Sequence, residues 1–438
     1  MRVQKFGGTS VGSPQRMHAL IPLISGHEQK IVVLSAVSGT TNNLDKISER
    51  LFKKETDTAK SLIEELCNKY FLFVEELFGT QAFKDKGNEL IKATRSFLLN
   101  FLTDAFGSIE EKAILAQGEL LSTTLFYYLL CEKEINASLL PALDFMRIDE
   151  DGEPDYIKIE NSLTELLAKQ KSHNLFITQG YICRNAFGEI DNLKRGGSDY
   201  TASIIGACVM VDEIQIWTDI DGMHNNDPRV VNKTFPIQML SFDEAAELAY
   251  FGAKILHPTC ILPAQNKNIP VRLLNTMKPK AEGTLISNQS TGSGVKAIAA
   301  KDGIISIRIK SSRMLLAYGF LRRVFEIFER YRKPIDLITT SEVAVSLTVD
   351  DDLNLETIES ELKRFCSVEI EKNKTIVSLV GDGLYNESGQ ASKIFNCIKD
   401  TPVLMISCGG SRNNVSFLIE TQHKNKVLQE LNSGIFNL

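Results

Sequence analysis

Arg2-Val3-Gln4-Lys5-Phe6-Gly7-Gly8-Thr9-Ser10 reads as a short strand broken by a Gly-Gly turn. Gln15 to Ile24 follows with helical spacing. Ile31-Val32-Val33-Leu34 is then a continuous apolar run of the kind buried on both faces of a parallel sheet. Strand, glycine turn, helix and strand open an α/β layer. Further apolar runs at 175–178 (LFIT), 214–217 (IQIW) and 270–274 (PVRLL) alternate with helical stretches at 198–210 and 242–253. Residues 44–132 are mostly helical by pattern, with apolar positions three and four apart through Leu62, Leu66, Tyr70 and Val74, and again from Ile91 to Leu102. The fold class is α/β with a largely parallel sheet.

The texture changes after 279–294 (PKAEGTLISNQSTGSG), a linker by composition. Strands are expected at 304–309, 335–339, 343–349 and 367–370, with helices at 319–331 and 354–365. The same order then recurs: strand 375–380, helix 389–398, strands 402–407 and 415–420, helix 424–432. This is a βαββα pattern occurring twice. The second copy lacks a final strand, which 295–300 (VKAIAA) could supply. The expected domains are 1–286, a linker and strand at 287–303, and two small modules at 304–373 and 374–438.

Composition excludes several classes. A chain of 438 residues corresponds to about three units at a soft prior of about 150 residues each. With 43% hydrophobic and 24% charged residues it is globular rather than disordered. A net charge of −6 without a dense basic cluster gives no footprint for nucleic acid or an anionic membrane. No apolar run has signal-peptide or bilayer-spanning character. The eight cysteines form no CxxC pair, and the six histidines do not fall at metal-ligand spacing beside them. Buried reduced thiols, no metal site and a cytoplasmic location are the expectation.

Four clusters carry chemistry. Lys5-Phe6-Gly7-Gly8-Thr9-Ser10 could let backbone N–H groups approach a phosphate beside a lysine, although it lacks the order of a Walker A loop and an ordinary tight turn reads the same. In Gln117-Gly118-Glu119-Leu120-Leu121-Ser122-Thr123 the carboxylate is either a first-turn residue favoured by the helix dipole or an acceptor for a substrate ammonium. Lys194-Arg195-Gly196-Gly197-Ser198-Asp199-Tyr200-Thr201 leads into a helix and serves as an anion cradle, a simple N-cap, or both. Trp217-Thr218-Asp219-Ile220-Asp221-Gly222, running to Asn226-Asp227-Pro228-Arg229 with Lys254 downstream, is a strand-end loop where α/β sheets bind ligands, or a plain connection.

KFGGTSV, QGELLS, RGGSDYTAS, WTDIDG…DPR and FGAKILHP, in this order and spacing, resemble the aspartokinases of the amino-acid-kinase superfamily. The C-terminal repeats are similar to the ACT modules, α+β and ferredoxin-like, appended to those enzymes. The resemblance covers essentially the whole chain and leaves no span for a fused homoserine dehydrogenase. It implies transfer of the ATP γ-phosphoryl group, with phosphate-bound Mg²⁺, to the β-carboxylate of L-aspartate. That is the first step of lysine, threonine and methionine biosynthesis. A carboxylate nucleophile with a pKa near ~3.9 is already ionised at neutral pH and needs no general base. Lys5, with Gly8, would stabilise the transferring phosphoryl group, and Asp199 would orient the lysine. Ser35, Thr41, Glu119, Arg195, Gly197 and Ser198 would hold aspartate, with Arg195 on the α-carboxylate and Glu119 on the α-ammonium. Gly7, Ser10, Thr218, Asp219, His224, Asp227, Arg229 and Lys254 would hold the nucleotide. His224 stands where many relatives place a tyrosine.

In the first repeat, Met314, Gly319, Phe320, Leu321, Asp336, Ser341 and Glu342 match the lysine-sensitive pattern, which implies L-lysine as inhibitor, with threonine as the alternative. Backbone N–H groups at 319–321 suit a carboxylate, and Asp336 and Glu342 suit ammonium groups. Val324 and Phe325 are expected on the core face of the helix. The modules would also pair two chains into a homodimer or higher homo-oligomer. A glutamate-directed kinase and a catalytically silent amino-acid sensor are the alternatives, with intact Lys5, Glu119, Arg195, Asp199 and Lys254 arguing against the latter.

Overall fold

In the computed structural model, residues 1–102, 105–193, 196–252, 256–289, 292–310, 318–384 and 388–438 are described. They form two units. The first comprises Met1–Met223, Gln238–Phe242 and Leu256–Gln289; the second comprises His224–Ile237, Asp243–Ile255 and Ser290–Leu438.

The strands of the first unit are β1 (Arg2–Phe6), β2 (Lys30–Leu34), β3 (Ala137–Leu140), β4 (Leu175–Gln179), β5 (Ile182–Arg184), β6 (Ile190–Asn192), β7 (Glu213–Thr218), β8 (Met239–Ser241), β9 (Val271–Asn275) and β10 (Thr284–Ser287). Eight of them form one sheet in the order β3-β4-β2-β1-β7-β9-β10-β8, while β5 and β6 make a separate hairpin. Every pairing in the large sheet is parallel except β9 with β10. All five residues of β2 are buried, as a strand covered on both faces requires.

The helices between these strands are α1 (Pro14–Ile24), α2 (Thr40–Phe52), α3 (Thr56–Leu77), α4 (Gln81–Leu99), α5 (Ser108–Leu115), α6 (Gln117–Glu132), α7 (Ala142–Phe145), α8 (Tyr156–Lys169), α9 (Gly197–Val209) and α11 (Pro258–Asn266), whereas α10 (Phe242–Tyr250) belongs from Asp243 onward to the second unit. Ser13 caps α1, its hydroxyl accepting the Arg16 N–H, with Pro14 at the first position. The stretch Ser108–Glu132 is long and apolar enough to cross a membrane by length and composition. Two-thirds of its most apolar window, 67%, is buried inside the unit, so this stretch, α5 with α6, is core packing.

The second unit holds β11 (Gly294–Lys310), α12 (Phe320–Arg330), β12 (Ile338–Thr340), β13 (Ala344–Val349), α13 (Leu355–Lys363), β14 (Ser367–Asp382), α14 (Gln390–Cys397), β15 (Met405–Cys408), β16 (Asn414–Glu420) and α15 (Lys424–Phe436). Its strands form one antiparallel sheet in the order β12-β13-β11-β14-β16-β15. The runs 295–300 and 304–309 are one strand, as are 367–370 and 375–380. The sequence reading separated them because Asp302-Gly303 and Lys372-Asn373 interrupt the apolar pattern. In the structure they are bulges: the register shifts between Lys301 and Ser306, and Gly303 and Asn373 take positive φ. A bulge bends a strand without ending its pairing. Residues 294–301 pair with 376–382, and 304–310 with 367–374. The strand expected at 335–339 lies at Ile338–Thr340.

Three further differences have local causes. Residues 224–237 group with the second unit because Asn225 and Asn226 donate to Asn432 Oδ1 at 3.2 and 3.3 Å, and Phe235 meets Phe436 edge-on at 5.8 Å. Phe325 is 40% exposed, not core, because Phe320, Val324, Ile327 and Phe328 already define the buried stripe and it falls one position beside it. No disulfide joins any of the eight cysteines, yet only Cys67, Cys183, Cys208 and Cys260 are buried, and Cys408 is exposed.

Candidate active site

The parallel register sets the stage. Phe6 lies opposite Leu34 and Trp217, and Leu34 lies opposite Gln179. The loops that begin at Gly7, Ser35, Gly180 and Asp219 therefore leave the sheet within about one residue of one level, the carboxyl crest where α/β folds bind ligands.

Lys5, at the end of β1, points to this crest and pairs with Asp199 in the first turn of α9, Nζ to Oδ1 2.6 Å. Both side chains are mostly buried, at 12% and 15% exposure, so little water screens the pair. Gly7 and Gly8 follow. A Cβ on Gly8 would sit 2.9 Å from the Ala36 carbonyl, so only glycine lets the two loops pass. The N–H groups of Ser10 and Val11 bond the Gly7 carbonyl, closing a turn. Ser10 is 1% exposed, and its hydroxyl is bonded to Thr276 Oγ1 at 2.6 Å, while Thr276 donates to the Thr218 carbonyl. Ser10 thus ties the glycine loop to the β7 loop.

Glu119 lies in the first turn of α6 and is 4% exposed. Its Oε1 accepts the Ala36 N–H at 3.2 Å, and its Oε2 is buried with no partner among the described residues. Burial pushes its pKa up to about 7, against the pull of the Ala36 N–H and Lys5. The Ser35 carbonyl accepts from the Ser122 hydroxyl at 2.8 Å, which fixes this loop on α6. Thr41 is in the first turn of α2. Its neighbour Thr40 is buried and bonded to the buried Tyr70 hydroxyl at 2.8 Å, a link the sequence reading missed because the two residues share no periodic pattern.

The glycines before α9 are needed for space. A Cβ on Gly197 would meet the Tyr181 ring at 2.3 Å, and one on Gly180 would meet Ser198 Oγ at 2.4 Å. Tyr181 itself has φ +65°, uncommon for an aromatic residue, and its N–H donates to Thr201 Oγ1 at 2.9 Å. It holds the start of α9 and was not legible in the sequence, where nothing marks a tyrosine for that conformation. Arg195 and Lys254 lie outside the described residues.

Thr218 ends β7, its hydroxyl donating to Asp219 Oδ1 at 3.1 Å. His224, Asp227 and Arg229 belong to the second unit. There His224 Nδ1 is 2.9 Å from Thr234 Oγ1. Asp227 takes both arms of the Arg229 guanidinium at 2.9 and 2.8 Å, which holds its carboxyl below the usual range. Also in this unit, Gly319 caps α12 with φ +83°, Phe320 is in the core and Leu321 is exposed. Asp336 is bonded by Lys301 and Tyr250, neither of which the sequence reading singled out. The Ser341 N–H closes the β12–β13 turn on Ala344, and Glu342 is exposed. Met314 lies outside the described residues.

The amino acid kinase family matches residues 1–275, and an ACT domain matches residues 377–434. Over 99% of both chains, the sequence is 33% identical to lysine-sensitive aspartokinase 3 of Escherichia coli. It is 32% identical to the chloroplastic aspartokinase 1 of Arabidopsis thaliana, covering 80% of that protein. Among solved structures, E. coli aspartokinase III with aspartate and ADP, an R state, matches over all of both chains with a TM-score of 0.84 at 33% identity. The same enzyme with lysine and aspartate, a T state, matches with a TM-score of 0.82. The chain belongs to the amino acid kinase family, in its aspartokinase branch, with an ACT domain towards its C-terminal end.

Proposed function

We propose that this chain transfers the γ-phosphoryl group of ATP to the β-carboxylate of L-aspartate, giving 4-phospho-L-aspartate, and that L-lysine inhibits it. The observation that carries the reading is a set of charges on one crest: the cation of Lys5, held by Asp199, and the buried carboxylate of Glu119 with Oε2 open. A β-carboxylate oxygen attacks the γ-phosphorus while the bond to the bridging oxygen breaks and its electrons leave with ADP. The nucleophile is already anionic, so the barrier is bringing two anions together in line. Lys5 offsets the charge on the transferring oxygens. Glu119 takes the α-ammonium, Arg195 the α-carboxylate through its fork, and Ser35, Thr41, Gly197 and Ser198 complete the substrate side. Gly8 lines the phosphoryl cradle with Lys5; Gly7, Thr218 and Asp219 serve the nucleotide, and Ser10 acts through its bond to Thr276. Mg²⁺ is carried by the nucleotide phosphates, since a hard cation bound mainly by phosphates and water needs no protein cage. Among the described residues no three His, Cys, Asp or Glu side chains gather to hold a metal.

ADP release that depends on aspartate, and that glutamate does not support, tests the activity. A glutamate-driven reaction would make this a different amino-acid kinase. For the regulatory half, L-lysine is expected to inhibit the native enzyme and to lose most of its effect on Asp336→Ala. Equal inhibition of both would remove Asp336 from the effector site.

We further propose a homodimer or higher homo-oligomer formed through the ACT region. Support comes from exposed apolar side chains on and beside its two edge strands: Ile338, Val343, Leu404 and Ile406. Light scattering should give at least twice the 48.8 kDa chain mass; a monomer at micromolar concentration would contradict it. Eight cysteines without a disulfide fit a reducing compartment, and we place the enzyme in the cytoplasm.

A further inference from the structure

We infer that Lys301 is a tethered cation occupying Asp336, and that the effector's ammonium must compete with it, so that Lys301 sets the sensitivity to inhibition. The inference rests on the reading of Asp336 as the effector's ammonium acceptor.

Lys301 lies on β11 immediately before the bulge at 301–304. Its Nζ is 2.7 Å from Asp336 Oδ1, 3.0 Å from Asp350 Oδ2 and 4.7 Å from the centre of the Tyr250 ring. Two carboxylates and an aromatic face are the components of a site for a primary ammonium, and here the chain supplies the ammonium itself. Asp336 lies two residues before β12 and is placed by β13, its N–H donating to the Thr348 carbonyl at 2.9 Å. Its side chain is only 3% exposed, so its charge needs a partner.

The carboxylate is only half used. Oδ1 receives both Lys301 and the Tyr250 hydroxyl, the latter at 2.8 Å, while Oδ2 is buried with no partner among the described residues. An incoming ammonium can take Oδ2 only beside the like charge of Lys301, or it can displace Lys301 from Oδ1. Both routes weaken binding relative to an Asp336 without an internal cation. A tethered group competes at an effective concentration on the order of millimolar. The apparent dissociation constant of the ligand rises by the inverse of the fraction of chains in which the site is open. Lys301 is therefore a threshold device: it keeps Asp336 compensated at low effector concentration and yields only when effector accumulates.

The experiment titrates L-lysine against the full chain carrying Lys301→Met, Lys301→Arg or Tyr250→Phe. It reads the half-inhibitory concentration and, by calorimetry, direct binding. Lys301→Met keeps the length of the side chain and removes its charge; inhibition should then set in at about tenfold lower lysine, with effector-free activity retained. Lys301→Arg should stay near the native value. Tyr250→Phe removes one donor from Oδ1 without changing charge and should shift inhibition the same way by about twofold, which decides the matter if Lys301→Met does not fold. A half-inhibitory concentration that is unchanged or raised in the folded charge-removal variant overturns the inference. If the native chain neither binds nor responds to lysine, the reading of the effector site fails first. If it responds, and Asp336→Ala abolishes the response, an unmoved Lys301→Met defeats this inference alone.

Discussion

Lys5→Ala is expected to lower kcat by about 10²-fold or more while the aspartate KM and the fold stay nearly unchanged. The Lys5 ammonium is 12% exposed and fixed by Asp199 at 2.6 Å, so it is preorganised and weakly screened. Its interaction is strongest when negative charge peaks on the transferring phosphoryl oxygens, so its loss falls on the transition state. Removing one preorganised oxyanion donor commonly costs about 10²–10³ in kcat. The variant leaves Asp199 without its cation, so circular dichroism and a melting curve should accompany the kinetics. An unchanged kcat in a folded Lys5→Ala protein would remove Lys5 from the chemistry.

Glu119→Gln is expected to raise the aspartate KM by about 10- to 100-fold, the range set by about 1.5–3 kcal/mol for a hydrogen bond to a charged group. pH supplies the sharper signature. Burial raises the Glu119 pKa to about 7, so the free enzyme holds this carboxyl neutral below that pH and charged above it. An ammonium acceptor must be charged, so kcat/KM for aspartate should climb through about pH 7 and level off above it. In Glu119→Gln that limb should vanish. Stability moves the opposite way: because the folded pKa lies above the unfolded value of 4.5, the contribution is fully present below 4.5 and is lost as pH rises through about 7. Glu119→Gln should therefore melt higher than the native chain at pH 8 and close to it at pH 4. A native profile that is flat through pH 7 would mean the site does not use the charge of Glu119.

The parallel layer was legible because its strands are local and nearly unbroken: IVVL, LFIT and IQIW mark themselves, and two Gly-Gly turns mark the crest. What stayed hidden involves pairs that share no pattern. Tyr70 reaches Thr40, Ser10 reaches Thr276, and Lys301 reaches Asp336, each across a long stretch of chain. A helical or alternating pattern reports which face is buried, not which polar atom meets which. Tyr181 was hidden for another reason, since its positive φ follows from the packing of the β4–β5 turn on α9. The long β11 and β14 were divided in the reading because polar bulges resemble turns in a one-dimensional pattern.

Trapping the product with hydroxylamine tests the central claim most directly. An acyl phosphate formed on aspartate is captured as a hydroxamate, and mass spectrometry locates it. With ATP, Mg²⁺ and a panel of amino acids, aspartate β-hydroxamate is expected from the native chain, sharply reduced with Lys5→Ala. Hydroxamate from glutamate in preference to aspartate, or no hydroxamate from any amino acid while folded protein is present, would contradict it.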